Sequence, residues 1–285
     1  MTALRVLVTG ATGYIGARLL SHLRARGAHV TALGRRPAKD VENIVVDDFD
    51  KAKLAMLLTG YRCDAVLHLA AAGIKPDDRD ANRLIAMNSV LPATIAALAA
   101  QCGARAMVVA GSCAEYEAQH ATEALNEDAP LCTTKLYGAT KAAGTLLALA
   151  RAADLQLPLA VIRLFNIYGP GEAPHRLLPS LVTRLAKGEA VPLSAGTQQR
   201  DFVHVDDACT ALLAAMDALL DGSMPSGVYN GCTGQSHTVA DFARQTARVM
   251  QADEALLQFG ALPMRPDDSA CLVGDGARLR AACGW

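Results

Sequence analysis

Through the first two-thirds of the chain, short apolar runs alternate with longer stretches whose apolar residues recur at helical spacing. Runs 4–8, 29–33, 44–46, 65–69, 106–110 and 159–164 read as strands, and stretches 14–26, 82–102 and 136–153 read as helices. Strands alternating with helices predict crossover units and a parallel sheet. The strand runs are apolar almost throughout, the pattern of a sheet covered by helices on both faces. After residue 164 the texture loosens. Pro170, Gly171, Pro174 and Pro179 punctuate it, and strand-like 202–205 leads into a helix over 206–219. A strand over 228–230 and a helix over 239–250 follow. The expected division is a sheet domain over 1–165, to which 200–220 returns, and a smaller interleaved lobe over 166–199 and 221–285.

The first strand–helix junction reads VLVTGATGYIG, with Gly10, Gly13 and Gly16 in the turn. Glycine lets such a turn close tightly, lets backbone approach a pyrophosphate, and lets helix and strand pack closely. The free N–H groups of the helix N-terminus then face the phosphates. Dinucleotide binding is the expectation, through the turn residues Gly10, Thr12, Gly13, Tyr14, Ile15 and Gly16, and the fold is a Rossmann-type, doubly wound parallel α/β sheet with a substrate-binding lobe. An acid at the end of the second strand would favour the free ribose hydroxyl of NAD, and an arginine the 2′-phosphate of NADP. Gly34 occupies that position and Arg35 and Arg36 follow it. NADP is therefore preferred, with NAD the alternative. Two solvated surface arginines would give the same letters.

Composition narrows the classes. With 52% hydrophobic and 19% charged residues over a length of 285, the chain can bury a large core, and disorder is excluded. A net charge of −1 without charged runs argues against a nucleic-acid partner. No apolar stretch of about 18 residues runs uninterrupted, so no membrane span is expected. Eight cysteines lie scattered with no CxxC pair and no histidine grouping. That spacing suits neither a zinc site nor a disulfide framework, and it fits reduced thiols in a cytoplasmic protein. No metal is expected.

Within KLYGATKAAG, Tyr137 precedes Lys141 by four residues, which puts both on one helix face. A tyrosine packed on a lysine stem would look the same as a phenol held beside an ammonium for proton exchange. The wider set of motifs decides. TGATGYIG at 9–16, HLAA at 68–71, GSCAEY at 111–116, YGATK at 137–141, NIYGP at 166–170, RDFVHVDD at 200–207, RPDD at 265–268 and the final GW at 284–285 occur in order. This set resembles the extended short-chain dehydrogenase/reductase family, the branch of NDP-sugar epimerases, dehydratases and ketoreductases. The resemblance implies that Tyr137 and Lys141 are the catalytic pair and Ser112 their partner from the preceding strand. A tyrosine ionises near 10 unperturbed, and a nearby cation favours its phenolate. Lys141 and the nicotinamide ring charge would thus bring proton transfer within reach of neutral pH, while Ser112 orients the sugar oxygen.

The resemblance also assigns Asp48 and Phe49 to the adenine, Leu69, Ala70 and Ala71 to the coenzyme, and Asn88 to a helix position beside the active site, among the coenzyme contacts. Asn166, Arg200 and Arg265 match positions that grip a sugar-linked diphosphate, a task suited to the guanidinium fork. Surface salt bridges with Asp201, Asp206 or Asp267 remain the plainer reading of the two arginines. Dehydratases of the family carry an Asp–Glu pair after the serine or threonine, and epimerase-reductases a cysteine two residues on. Here those positions are Cys113 and Ala114. The expectation is an NADPH-dependent oxidoreductase that reduces an NDP-4-keto-6-deoxy sugar at C4. An NAD-dependent 4-epimerase and a non-catalytic NADP-binding regulator are the alternatives. The resemblance also implies a homodimer through a four-helix interface, with the helices over 82–102 and 136–153 as the candidates.

Overall fold

The computed structural model describes residues 3–74, 78–117, 123–264 and 268–285. Strands β1 (Arg5–Thr9), β2 (His29–Gly34), β3 (Glu42–Val45), β4 (Ala65–His68), β5 (Ala106–Ser112) and β6 (Leu159–Leu164) join the strand Gly227–Gly231 in one sheet. Their spatial order is β3-β2-β1-β4-β5-β6 followed by Gly227–Gly231, with every neighbouring pair parallel. This is the Rossmann-type α/β sheet that the alternation predicts. The order reverses between β1 and β4, which opens the crevice where such folds take a dinucleotide.

The helices are α1 (Tyr14–Ala25), α2 (Lys51–Leu57), α3 (Ala81–Leu84), α4 (Leu91–Gln101), α5 (Leu136–Asp154), α6 (Leu177–Leu185), α7 (Val205–Leu220), α8 (Val239–Val249) and α9 (Ala277–Cys283). Successive strand side chains point to opposite faces. Val6 and Val8 therefore meet Leu19 and Leu23 of α1 and Leu212 and Met216 of α7. Leu7 and Val66 meet Ile95 and Leu98 of α4 and Ala148 and Ala152 of α5 on the other side. The smaller lobe has its own core, where Leu181 and Leu185 of α6 meet Ala243 and Ala247 of α8.

Two expectations change. The segment 221–285 does not belong wholly to the small lobe, because Gly227–Gly231 pairs with β6 and completes the main sheet. Its apolar letters suit either sheet, and the open edge of β6 decides. The helix over 82–102 is also not uniform. A π-turn, Ile85–Val90, separates α3 from α4. Pro92 has no N–H to give the carbonyl four residues back, so the α-ladder cannot run through Asn88. By length and composition alone 81–101 could cross a bilayer, but half of it is buried against α5 and the sheet.

Candidate active site

Gly10 ends β1 with φ +72°, and a Cβ there would stand 2.6 Å from the Ala70 nitrogen. A Cβ on Gly16 would stand 2.2 Å from the Gly10 carbonyl oxygen. Only glycine lets the turn press against the loop after β4 while α1 closes on it. Gly13 caps α1 with no side-chain bond, so the first helical N–H groups remain available to an anion. Thr12 is exposed at this turn, Ile15 is half-buried against the core, and Leu69, Ala70 and Ala71 face the cradle half-buried. The Tyr14 hydroxyl is buried without a partner. The cradle fits a dinucleotide pyrophosphate.

Beyond the end of β2 lies a cavity of about 380 Å³ lined by Arg35, Asp48, Phe49, Arg83, Met87 and Leu91, among others. It sits where the fold takes adenosine. Asp48 is held by Lys53 at 2.8 Å, which keeps its carboxyl below the usual range. Arg36 is exposed and outside this lining.

Ser112 ends β5, and Tyr137 and Lys141 stand in the first two turns of α5. The helix approaches closely because Gly138 has no Cβ, which would lie 2.1 Å from the Ala114 carbonyl oxygen. The Ser112 hydroxyl accepts the Ala114 N–H at 3.1 Å, leaving its own proton to donate. Burial pushes the Tyr137 phenol up to about 12, against the opposing pull of a hydrogen bond with Ser112. The expected depression by Lys141 is not what the protein alone produces. Lys141 is buried and its Nζ donates to the Ala110 carbonyl at 2.8 Å. Burial lowers its ammonium, and the Glu115 carboxylate opposes that. His68, buried beside it, is pushed down to about 3 by burial and then by Lys141, so it is neutral. Its Nδ1 pairs with the Thr9 hydroxyl at 2.7 Å. Among the described residues no group of His, Cys, Asp and Glu could hold a metal.

Three assigned residues already hold partners within the protein. The Asn88 side chain is bonded within the protein. Its buried amide holds the Ala72 N–H at 2.8 Å and the Ala72 carbonyl at 3.1 Å, and it donates to the Thr140 hydroxyl at 3.3 Å. The π-turn aims it inward, so it clamps the coenzyme-side loop to α5. Asn166, half-buried, donates to the Asp201 carbonyl at 3.2 Å. Arg200 is buried and already engaged, by the Asp268 carboxylate and by the Gln199 and Ser269 carbonyls at 2.8 Å each. Its acidic partner among the described residues is Asp268, not Asp201 or Asp206, and Asp267 lies outside them. Arg265 lies outside the described residues.

The sequence reading missed Glu115 and Arg163, a buried pair at 2.9 Å under the Ser112 turn. The signal was present, since Glu115 stands three residues after Ser112 in a capping box. Cys113 is buried and burial pushes its thiol up to about 12, so it is a neutral thiol.

A glycine cradle at the first crossover, with a serine, tyrosine and lysine gathered at the ends of β5 and α5, defines a Rossmann-fold NAD(P)-dependent enzyme of the short-chain dehydrogenase/reductase type. Residues 6–230 match the NAD dependent epimerase/dehydratase family, and the chain belongs to it. A dTDP-6-deoxy-L-talose 4-dehydrogenase (NAD(P)(+)) from Kitasatospora kifunensis is 33% identical over 82% of this chain and 75% of its own length. A dTDP-glucose 4,6-dehydratase from Streptomyces niveus is 26% identical over 99% and 88%. The structure of MoeE5 in complex with UDP-glucose and NAD superposes with TM-score 0.84 and 30% identity, over 99% of this chain and 92% of that one.

Proposed function

We propose that the chain reduces a nucleotide-activated 4-keto-6-deoxy sugar at C4 with NADPH. The observation that carries this reading is a Ser112/Tyr137/Lys141 site with no acid–base group in the two positions after Ser112. Cys113 is buried and neutral, and Ala114 has nothing to titrate. An elimination of water therefore lacks its groups, although a dehydratase is among the relatives. Dehydrogenation at C4, the activity of the Kitasatospora relative, is this reduction in reverse and supports it.

NADPH, held by the Gly10–Gly16 turn and the cavity at Arg35, would supply the hydride. Tyr137, protonated at neutral pH, gives its proton to the oxygen forming at C4. Ser112 donates to the same oxygen and fixes its direction. Lys141 is held by the Ala110 carbonyl and would offer its remaining protons to the coenzyme. Asn166 and Arg200 would contact the sugar-linked diphosphate. Arg200 brings a charge partly offset by Asp268, so it acts more as a shaped donor than as a free cation.

The reading includes a homodimer and a cytoplasmic setting. Ile85, Val90, Leu146 and Leu147 expose apolar surface on the adjoining faces of the 81–101 run and α5, which supports the first. Eight free thiols support the second. The NAD in the MoeE5 complex favours the second reading, a 4-epimerase that returns the hydride to the other face. Incubation with a panel of NDP-4-keto-6-deoxy sugars and NADPH separates them. Stoichiometric loss of NADPH absorbance with a 4-hydroxy product is expected. Interconversion of C4 epimers without net coenzyme loss would establish the epimerase, and coenzyme binding without turnover the regulator.

A further inference from the structure

We propose that Glu115 is the positioning residue of this site, its carboxylate bonding the Ser112 strand end to the helix that carries Tyr137 and Lys141. The inference rests on the reading of those three residues above and adds one that it does not contain. Glu115 is wholly buried. Its Oε1 accepts the Ser112 backbone N–H at 2.9 Å. Its Oε2 accepts the Thr145 hydroxyl at 2.7 Å and the Arg163 Nε–H at 2.9 Å. Thr145 stands four residues beyond Lys141, and Lys141 four beyond Tyr137, so the three share one face of α5. One carboxylate therefore grips the backbone of the serine and the same helical stripe that holds the tyrosine. Gly111 makes the room, since a Cβ there would lie 2.8 Å from Glu115 Oε1.

A buried ion pair that merely holds the fold is the competing account. Arg163 does balance the charge, with its guanidinium 4.5 Å from the Tyr116 ring centre and its Nη1 donating to the Glu127 carbonyl at 3.2 Å. Yet desolvation makes buried pairs weak stabilisers compared with apolar residues of equal volume. Here both oxygens are spent on the two elements that must meet for catalysis. The charge has a second consequence. Glu115 raises both the Tyr137 phenol and the Lys141 ammonium, favouring the protonated form of each. The other groups facing them are Cys113 on the same turn, Arg176 just before α6, and His68 on β4. Cys113 and His68 are neutral, so among these Glu115 is the standing negative charge and Arg176 opposes it at Tyr137.

The test uses Glu115→Gln, Thr145→Val and Thr145→Ser in the full chain. NADPH affinity comes first, to show that each variant is folded and holds its coenzyme. Ultraviolet titration of tyrosinate, with Tyr137→Phe as the blank, then locates the Tyr137 ionisation without any substrate. Glu115→Gln should move that ionisation to lower pH and cut kcat about tenfold or more at nearly constant KM, the signature of misplacement near the chemistry. Thr145→Val should lower kcat without moving the titration, and Thr145→Ser should restore it. If Glu115→Gln leaves the ionisation in place and both variants keep kcat within about twofold, Glu115 is a fold-holding ion pair and the proposal falls. Should Glu115→Gln not fold, the two Thr145 variants decide, because Arg163 keeps its counter-ion in them. A wild type that reduces no 4-keto sugar sinks the proposed function, while the substrate-free titration still reports on Glu115.

Discussion

Replacing Arg35 by alanine should cost NADPH affinity and spare NADH. Arg35 lines the cavity at the end of β2, and the strand itself ends in Gly34 rather than in an acid for a free ribose hydroxyl. A guanidinium bonded to a 2′-phosphate contributes about 1.5–3 kcal/mol, which is roughly ten- to a hundredfold in Kd. Two local features set where in that range the effect falls. Asp48 shares the lining but is offset by Lys53 at 2.8 Å, whereas Asp47, also in the lining, opposes a phosphate there and lowers the effect of Arg35. Arg35 is also exposed, and solvent screens an exposed charge, which points to the lower end, about tenfold. Arg36 lies outside the lining, and Arg36→Ala should change Kd for NADPH by less than about twofold. Competitive titration of the wild type and both variants with NADPH and NADH is the assay. Equal wild-type affinity for the two coenzymes, or equal losses in Arg35→Ala, would refute the reasoning. Purification with NAD in place would move the assignment to the epimerase.

Tyr137→Phe should lower kcat about 10²–10⁴-fold while Kd for NADPH hardly moves, because it removes a proton donor and little volume. Retention of more than about a tenth of wild-type kcat would count against the role. Leu146 and Leu147 are 57% and 47% exposed on α5, enough bare apolar surface to need cover, and aspartate at both should convert a dimer to a monomer in size-exclusion chromatography with light scattering. A wild type already monomeric at micromolar concentration would remove the basis for that interface.

The sheet was legible because both of its faces are covered: Val6 and Val8 bury one way and Leu7 the other, so β1 shows as an unbroken apolar run. Gly10 and Gly16 were legible for a backbone reason, since no other residue fits at their distances from Ala70 and Gly10. What stayed hidden was partner choice across the chain. Arg200 meets Asp268, 68 positions away, and nothing local distinguishes Asp268 from Asp201 or Asp206. Asn88 came to the coenzyme side by the family resemblance alone. The π-turn before Pro92 carries its amide onto Ala72 and Thr140. The proline was visible in the sequence, but its consequence for Asn88 depends on what packs against that turn.

The same limit applied to the charge on Tyr137, and there it bears on the direction of the reaction. The family resemblance suggested a phenol drawn toward phenolate by Lys141 and the nicotinamide charge. In the fold, Lys141 donates to Ala110, and burial together with the Glu115 charge keeps the Tyr137 proton in place. A protonated phenol is prepared to act as an acid, which is what reduction of a ketone requires. Oxidation of an alcohol would require it first as a base. The nicotinamide ring is uncharged in NADPH and positive in NAD, so Tyr137 meets no added cation when the reduced coenzyme is bound, and its acid form persists. With the oxidised coenzyme the ring charge would draw the proton off and favour the base. Tyr137 in the coenzyme-free protein thus holds its proton, as an unperturbed phenol also does at neutral pH, and the charge of the bound nicotinamide decides whether it serves as acid or base.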